Sequence, residues 1–189
     1  MNKTKRKIFE TSMKLFAEKG YDATSIEEIT ATVGVAKGTL YYHFSSKEEI
    51  FNFLVEEGIK LLQNSVDIKT AKFSNYIDKI KAIVLIQIKI VVRYENLITI
   101  LLSQFWGNEA RHQKCRKHIL EYIKQIENIV KEGMEVGQIK KGNPQAISSE
   151  IYALICSSLV YKTRSEEELD TMKLFKEFEN TVIEGLKVK

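Results

Sequence analysis

Apolar residues recur along this chain with the spacing of a helix face and almost never with that of a strand. Ile8, Phe9, Ser12, Leu15 and Phe16 fall at i, i+1, i+4, i+7 and i+8, which predicts a helix over 4–19 that Gly20 ends. A second helix opens at Ser25, whose spacing to Glu28 makes an S-x-x-E capping box. It turns Ile26, Ile29 and Val33 inward before Gly34 stops it after about two turns. A third short helix runs from about Ala36 to Phe44. Ser46 and Glu49 then form another capping box, and the fourth helix carries Ile50, Phe53, Leu54, Glu57 and Leu61.

The remaining helices are longer: 72–93, 95–105, 109–136, 144–162 and 166–187. Ile86 to Ile90 alternates as a strand does, yet Ile77, Ile80, Val84, Ile88 and Val91 keep helical spacing through the whole segment, and no partner strand exists. The eighth helix begins at Asn143-Pro144, a capping residue with proline at the first helical position. The ninth begins with a third capping box, Ser165 and Glu168. The expected fold is all-α. A front module of three helices, residues 1–46, is joined through helix four to a larger helical bundle, residues 47–189.

Composition narrows the class. Nine Gly and one Pro in 189 residues exclude collagenous and turn-rich chains. Two cysteines, Cys115 and Cys156, cannot staple a secreted scaffold, so a cytoplasmic setting is expected. The basic opening Lys3 to Lys7 is followed by Glu10, Lys14 and Glu18, so no apolar targeting core follows it. The longest apolar run, Ala82 to Val92, is broken by Gln87 and Lys89 and falls far short of the ~20 residues of a membrane span. The formal net charge is only +4, although residues 60–131 hold 13 basic against 6 acidic groups. Such a bias does not identify a nucleic-acid binder by itself.

The third helix does. Helices two and three are joined by Thr32-Val33-Gly34-Val35, and neither is long enough to be stable alone, which is the helix-turn-helix pattern. Val35, Leu40 and Phe44 can point inward, leaving Lys37, Gly38, Thr39, Tyr41, Tyr42 and His43 outside. Gly38 in a helix interior costs about 1 kcal/mol against alanine, an expense that suits close approach of a phosphate or base edge. Lys37 and Lys47 sit in the first turns of helices three and four, where a cation is disfavoured and a phosphate would relieve the conflict.

The stretch Ile8 to Phe53 resembles the DNA-binding region of the TetR family of bacterial transcriptional regulators. The matching pieces are Phe16-Ala17-Glu18-Lys19-Gly20-Tyr21, Ala23-Thr24-Ser25-Ile26, Val33 to Phe44, and Ser46-Lys47-Glu48-Glu49-Ile50. They cover about a quarter of the chain. Gly137-Gln138-Ile139 before Asn143-Pro144 looks like the family's junction ahead of its eighth helix. Ala36 stands where the family often has Ser, which removes one hydroxyl. The resemblance implies that Thr24 and Ser25 touch the DNA backbone, that Lys37, Thr39 and Tyr41 approach bases, and that Tyr42, His43 and Lys47 hold phosphates. The basic residues Lys3, Lys5, Arg6 and Lys7 either reach the adjacent minor groove or stay disordered.

For the body, the resemblance implies a homodimer through helices eight and nine. The residues expected there are Ile151, Leu154, Ile155 and Ser158 on one and Phe175, Phe178 and Val182 on the other. It also implies a small-molecule effector pocket among helices four to seven. Tyr76, Gln87, Tyr94 and Tyr122 are candidates for its lining. So are Phe105, Trp106, Asn108 and His112, of which the Phe105-Trp106-Gly107-Asn108 junction is the best pointer. His112, Cys115 and His118 do not share one helix face, since 118 is rotated about 120° from 112, so no metal is expected. No nucleophile–base pair, phosphate loop or cofactor motif appears, so no enzyme and no cofactor are expected. The leading expectation is a ligand-responsive repressor released from a palindromic operator in double-stranded DNA, with no membrane partner. The alternative is a helical interaction protein whose front module docks a protein partner.

Overall fold

Side-chain caps set most of the helix starts. A computed structural model describes residues 2–165 and 168–188, and among them only helices and one isolated bridge form regular structure. The helices are α1 (Lys3–Lys19), α2 (Ile26–Val33), α3 (Lys37–His43), α4 (Lys47–Thr70), α5 (Tyr76–Arg93), α6 (Glu95–Ser103), α7 (Ala110–Glu135), α8 (Pro144–Arg164) and α9 (Thr171–Thr181). A 3-10 turn, Ile183–Leu186, follows α9. Ser25 Oγ accepts from the Glu28 N–H and Ser46 Oγ from the Glu49 N–H, each at 3.0 Å, as the capping-box spacings predict. Asn75 and Asn143 each accept from two N–H groups at the starts of α5 and α8.

Three expectations need correction. The fifth helix begins at Tyr76, not 72, because Asn75 supplies the cap. The capping box at Ser165 and Glu168 does not open a helix. The Ser165 N–H bonds the carbonyls of Tyr161 and Lys162 and closes α8, and Asp170 caps α9 through the Met172 and Lys173 N–H groups. Residues 166–167 of the expected ninth helix lie outside the described residues. Lys3 to Lys7 form neither a tail nor a disordered arm: Asn2 caps α1 by accepting from the Lys5 N–H, so they make its first turn. Lys5 Nζ lies over the Phe44 and Phe53 rings, 4.7 and 4.9 Å from their centroids, and Arg6 pairs with Glu10.

The chain divides into two compact units, residues 1–58 with 96–118, and residues 59–95 with 119–189. The expected boundary at 46/47 is the start of α4, and contacts carry the first unit on to Gly58. In that unit α1, α2 and α3 pack on one another around Ile8, Phe16, Ile29, Leu40, Phe44 and Phe51, all at most 3% exposed. In the second unit α5 is the spine. Nine of its residues are buried, and α8 and α9 both pack against it.

Which face of α8 meets α5 corrects the dimer expectation. Ile151, Leu154, Ile155 and Ser158 are all at most 8% exposed within the single chain. Ala153, Cys156, Ser157, Val160, Tyr161 and Arg164 lie outside, along one stripe of the helix. On α9, Phe178 is buried, and Phe175 and Val182 are half-buried. Alpha-8 is apolar on two sides, and the bulkier aliphatic side is the one that fills the chain's own core.

Candidate nucleic-acid interface

Helix α3 is only seven residues long and depends on its neighbours for its position. Gly34 turns the chain after α2 with φ +77°, a left-handed conformation that other residues adopt at a cost, and the Thr30 carbonyl accepts from the N–H groups of both Gly34 and Val35. Leu40 and Phe44 are then driven into the module's core, at 0% and 1% exposure. Ala36 starts α3 with no side-chain cap.

The outer face is open. Tyr42 is 84% exposed and lies edge-on to the His43 ring at 5.0 Å. Tyr41 and Lys37 are exposed, and Thr39 and His43 are half-exposed. A Cβ at Gly38 would meet nothing within 4 Å, and its φ lies in the ordinary range. The fold therefore has no need of a glycine there. Lys37 Nζ is 2.5 Å from Glu27 Oε1 on α2, a contact that raises the lysine's pKa and lowers that of the glutamate.

Two expected DNA contacts sit differently. Thr24 is 1% exposed and its hydroxyl donates to the Gly20 carbonyl at 2.8 Å, so it closes the α1–α2 loop. Ser25 is exposed. Lys47 spends its ammonium inside the module. Nζ donates to the carbonyls of Tyr21, Thr24 and Asp22 at 2.9, 2.8 and 3.4 Å. It also lies 4.3 Å from the centroid of the Tyr21 ring. A lysine has three N–H donors, and here each has a carbonyl. The cation at the start of α4 is balanced by Glu48 and Glu49 in the same turn.

The Tyr21 ring meets a second cation. Arg111 Cζ is 4.6 Å from its centroid, Nη2 donates to Asp22 Oδ2 at 2.7 Å, and Nε donates to Gln104 Oε1 at 3.1 Å. Nη1 pairs with Glu109, and the side chain is only 11% exposed. Burial is the main cause that raises the pKa of Tyr21, with Arg111 opposing it. Tyr21 stood in a matched motif with no role assigned to it, and Arg111 did not stand out in the sequence.

The candidate effector residues divide between the units. Phe105, Trp106, Asn108 and His112 belong to the first, where Trp106 is 79% exposed and Asn108 is exposed. The His112 ring packs beneath Gly107, and the Arg116 guanidinium donates to the Phe105 and Gly107 carbonyls. In the second unit, Tyr76 and Tyr94 flank opposite ends of α5, about 27 Å apart at the helical rise, so they do not share one site. Tyr76 donates to Glu132 Oε2. Gln87 and Tyr122, both fully buried, bond each other at 3.1 Å, and Gln87 Oε1 has no partner among the described residues. Cys115 is buried beneath Leu101, and burial pushes its thiol up to about 12.

These geometries predict two outcomes. Gly38→Ala fills open space in a helix, so it raises stability by about 1 kcal/mol while weakening DNA binding. Equal or tighter binding in a duplex titration would show that nothing approaches that backbone. Lys47→Met loses charge-assisted bonds to three carbonyls, so thermal melts show a loss of about 1.5–3 kcal/mol. Because those donors are occupied internally, the slope of log affinity against log salt stays within a few tenths of wild type. A phosphate contact at Lys47 would instead lower the slope by about 0.9 for each subunit on the duplex.

Comparison with known proteins places this module. The family described as bacterial regulatory proteins, tetR family, matches residues 8–54. A 52-residue stretch is 46% identical to IcaR of Staphylococcus epidermidis, a negative transcriptional regulator of a biofilm operon, and spans 28% of each chain. Over nearly its whole length the chain is similar to a Clostridium perfringens protein described as a candidate fatty acid metabolism regulator. Identity there is 31%, the TM-score is 0.89, and the match covers 97% of this chain and 100% of that one. The transcriptional regulator FadR of Bacillus subtilis, solved with stearoyl-CoA, matches with a TM-score of 0.82 at 21% identity, over 96% and 98% of the two chains. The chain belongs to the TetR family, and it is a DNA-binding transcriptional regulator.

Proposed function

We propose that this regulator acts as a homodimeric repressor that leaves a palindromic operator when a fatty acyl thioester binds. The observation that carries the reading is the uncovered face of α3, where Tyr42 projects and the Gly38 backbone lies bare. Residues 1–46 form the DNA-binding module and 47–189 the ligand-binding and dimerisation region. Lys37, Thr39 and Tyr41 approach bases, while Ser25, Tyr42 and His43 hold phosphates, which position a protein without specifying sequence. The setting is the cytoplasm, where the operator is. No described helix is long and apolar enough to cross a membrane.

The dimer forms through the outward stripe of α8. Ala153 and Ser157 are small enough for close helix approach, and Val160 and Tyr161 add exposed apolar area at 55% and 47%. With Cys156, Arg164 and Ser165, several of these residues line an open groove of about 740 Å³. Two-fold symmetry then sets two copies of α3 about 34–36 Å apart, one turn of DNA.

An acyl effector is supported by the names of the two structural relatives and by the apolar character of α5. The buried Gln87–Tyr122 pair is the polar element in that setting. Release follows from differential affinity: the thioester binds better to the state that has lost its grip on DNA, with α4 as the element that moves.

Two experiments test the proposal. Val160→Glu alters only an exposed side chain, so the chain stays folded. Sedimentation shifts to monomer, and affinity for a palindromic duplex falls at least 100-fold while a half-site duplex binds as before. A dimer that persists would place the interface elsewhere. In the second, stearoyl-CoA and shorter acyl-CoAs are titrated into the protein–duplex complex beside coenzyme A alone. Release by acyl-CoA and not by coenzyme A is expected. Retention of the duplex under every acyl chain length overturns the effector assignment.

A further inference from the structure

A carboxylate stands on the face of the module that meets DNA. Glu27, in the first turn of α2, is 66% exposed, and its Oε1 lies 2.5 Å from Nζ of Lys37, itself 53% exposed. Duplex DNA carries one negative charge per about 1.7 Å of axis, so a glutamate at its surface works against binding. The fold gives little reason for it. An exposed ion pair adds little stability, and Glu28 already supplies an acid to the α2 N-terminus while pairing with Lys19.

We propose that Glu27 is a specificity-determining residue: it neutralises Lys37 toward arbitrary phosphates and aims its ammonium at base edges. The proposal rests on α3 being the helix that enters the groove. An unpaired lysine is a mobile point charge on a four-carbon stem and engages any phosphate within reach. Held together, Lys37 and Glu27 present no net charge to a random duplex, so that duplex loses one phosphate contact's share of counterion release. At a matching site the loss is recovered. The two ammonium donors that Glu27 leaves free suit the O6 and N7 acceptors of guanine. The second carboxylate oxygen suits the N4 amino group of its cytosine. The two partners lie side by side in one G·C pair, as the ammonium and the carboxylate do on the protein.

The experiment lets the wild-type chain select duplexes from a random-sequence library. Wild type, Glu27→Gln, Lys37→Met and the double variant are then titrated with the selected duplex and with a scrambled duplex of equal composition, across a range of salt. Glu27→Gln should bind the scrambled duplex about ten-fold more tightly for each subunit bound at ~0.1 M salt, with a slope steeper by about 0.9 per subunit. Its gain at the selected duplex should be smaller, so the ratio of the two affinities falls. In the Lys37→Met background, Glu27→Gln should change little. Equal gains on both duplexes, or a gain that survives removal of Lys37, overturn the proposal by reducing Glu27 to bulk charge. Enrichment of any duplex by wild type reports on DNA binding itself, so that reading and this one fail separately.

Discussion

The front module depends on a tyrosine ring touched by two cations. Helices α2 and α3 have eight and seven residues, well below the roughly 12–15 at which an isolated helix becomes even marginal. Their stability is borrowed from a core in which Tyr21 packs on Phe16 and Phe51 at 5.4 and 5.1 Å. Lys47 approaches the same ring from the first turn of α4 and Arg111 from the first turn of α7. Each also bonds the loop that carries it, Lys47 through backbone carbonyls and Arg111 through Asp22. The α1–α2 loop is therefore fixed at its backbone, its ring and its carboxylate, and α2 starts from that fixed point.

This arrangement separates two jobs that basic residues near DNA can perform. A cation whose donors all end on carbonyls is part of the scaffold, and its removal acts through folding. A cation half in solvent, such as Lys37, stays available to a partner outside the chain. Both lysines occupy the first turn of a helix, where the backbone dipole opposes them, and each has its own compensation. Around Lys47 it is three backbone carbonyls of the α1–α2 loop together with Glu48 and Glu49 in its own turn. For Lys37 it is Glu27, ten residues away on the preceding helix.

Local signals made much of the fold legible. The capping serines at 25 and 46, the asparagine at 143 and the glycine at 34 act over three or four residues, and the structure uses them as the spacing implies, whereas Asn75, with no such signal read around it, moved the start of α5 to Tyr76. The open face of α3 was legible for the same reason, because a seven-residue helix that buries Leu40 and ends against buried Phe44 leaves few choices for the rest. Ser165 shows where the reasoning stops. An S-x-x-E spacing fits the end of one helix as well as the start of the next, and the competitor was Asp170, whose carboxylate accepts from two N–H groups at once.

Partners far apart in sequence were not legible. Arg111 and Asp22 are separated by 89 residues, and nothing in the spacing around either one marks the other. Alpha-8 shows the same limit in another form. Its two apolar stripes predict two buried faces, but only the position of α5 decides which belongs to the chain's own core. The aliphatic stripe of Ile151, Leu154 and Ile155 fills volume against α5, as branched side chains do best. The stripe left outside carries small residues beside Val160 and Tyr161, a composition that makes a poor core but lets a second helix come close. The helix thus has one face for packing within the chain and leaves a second, mixed face uncovered.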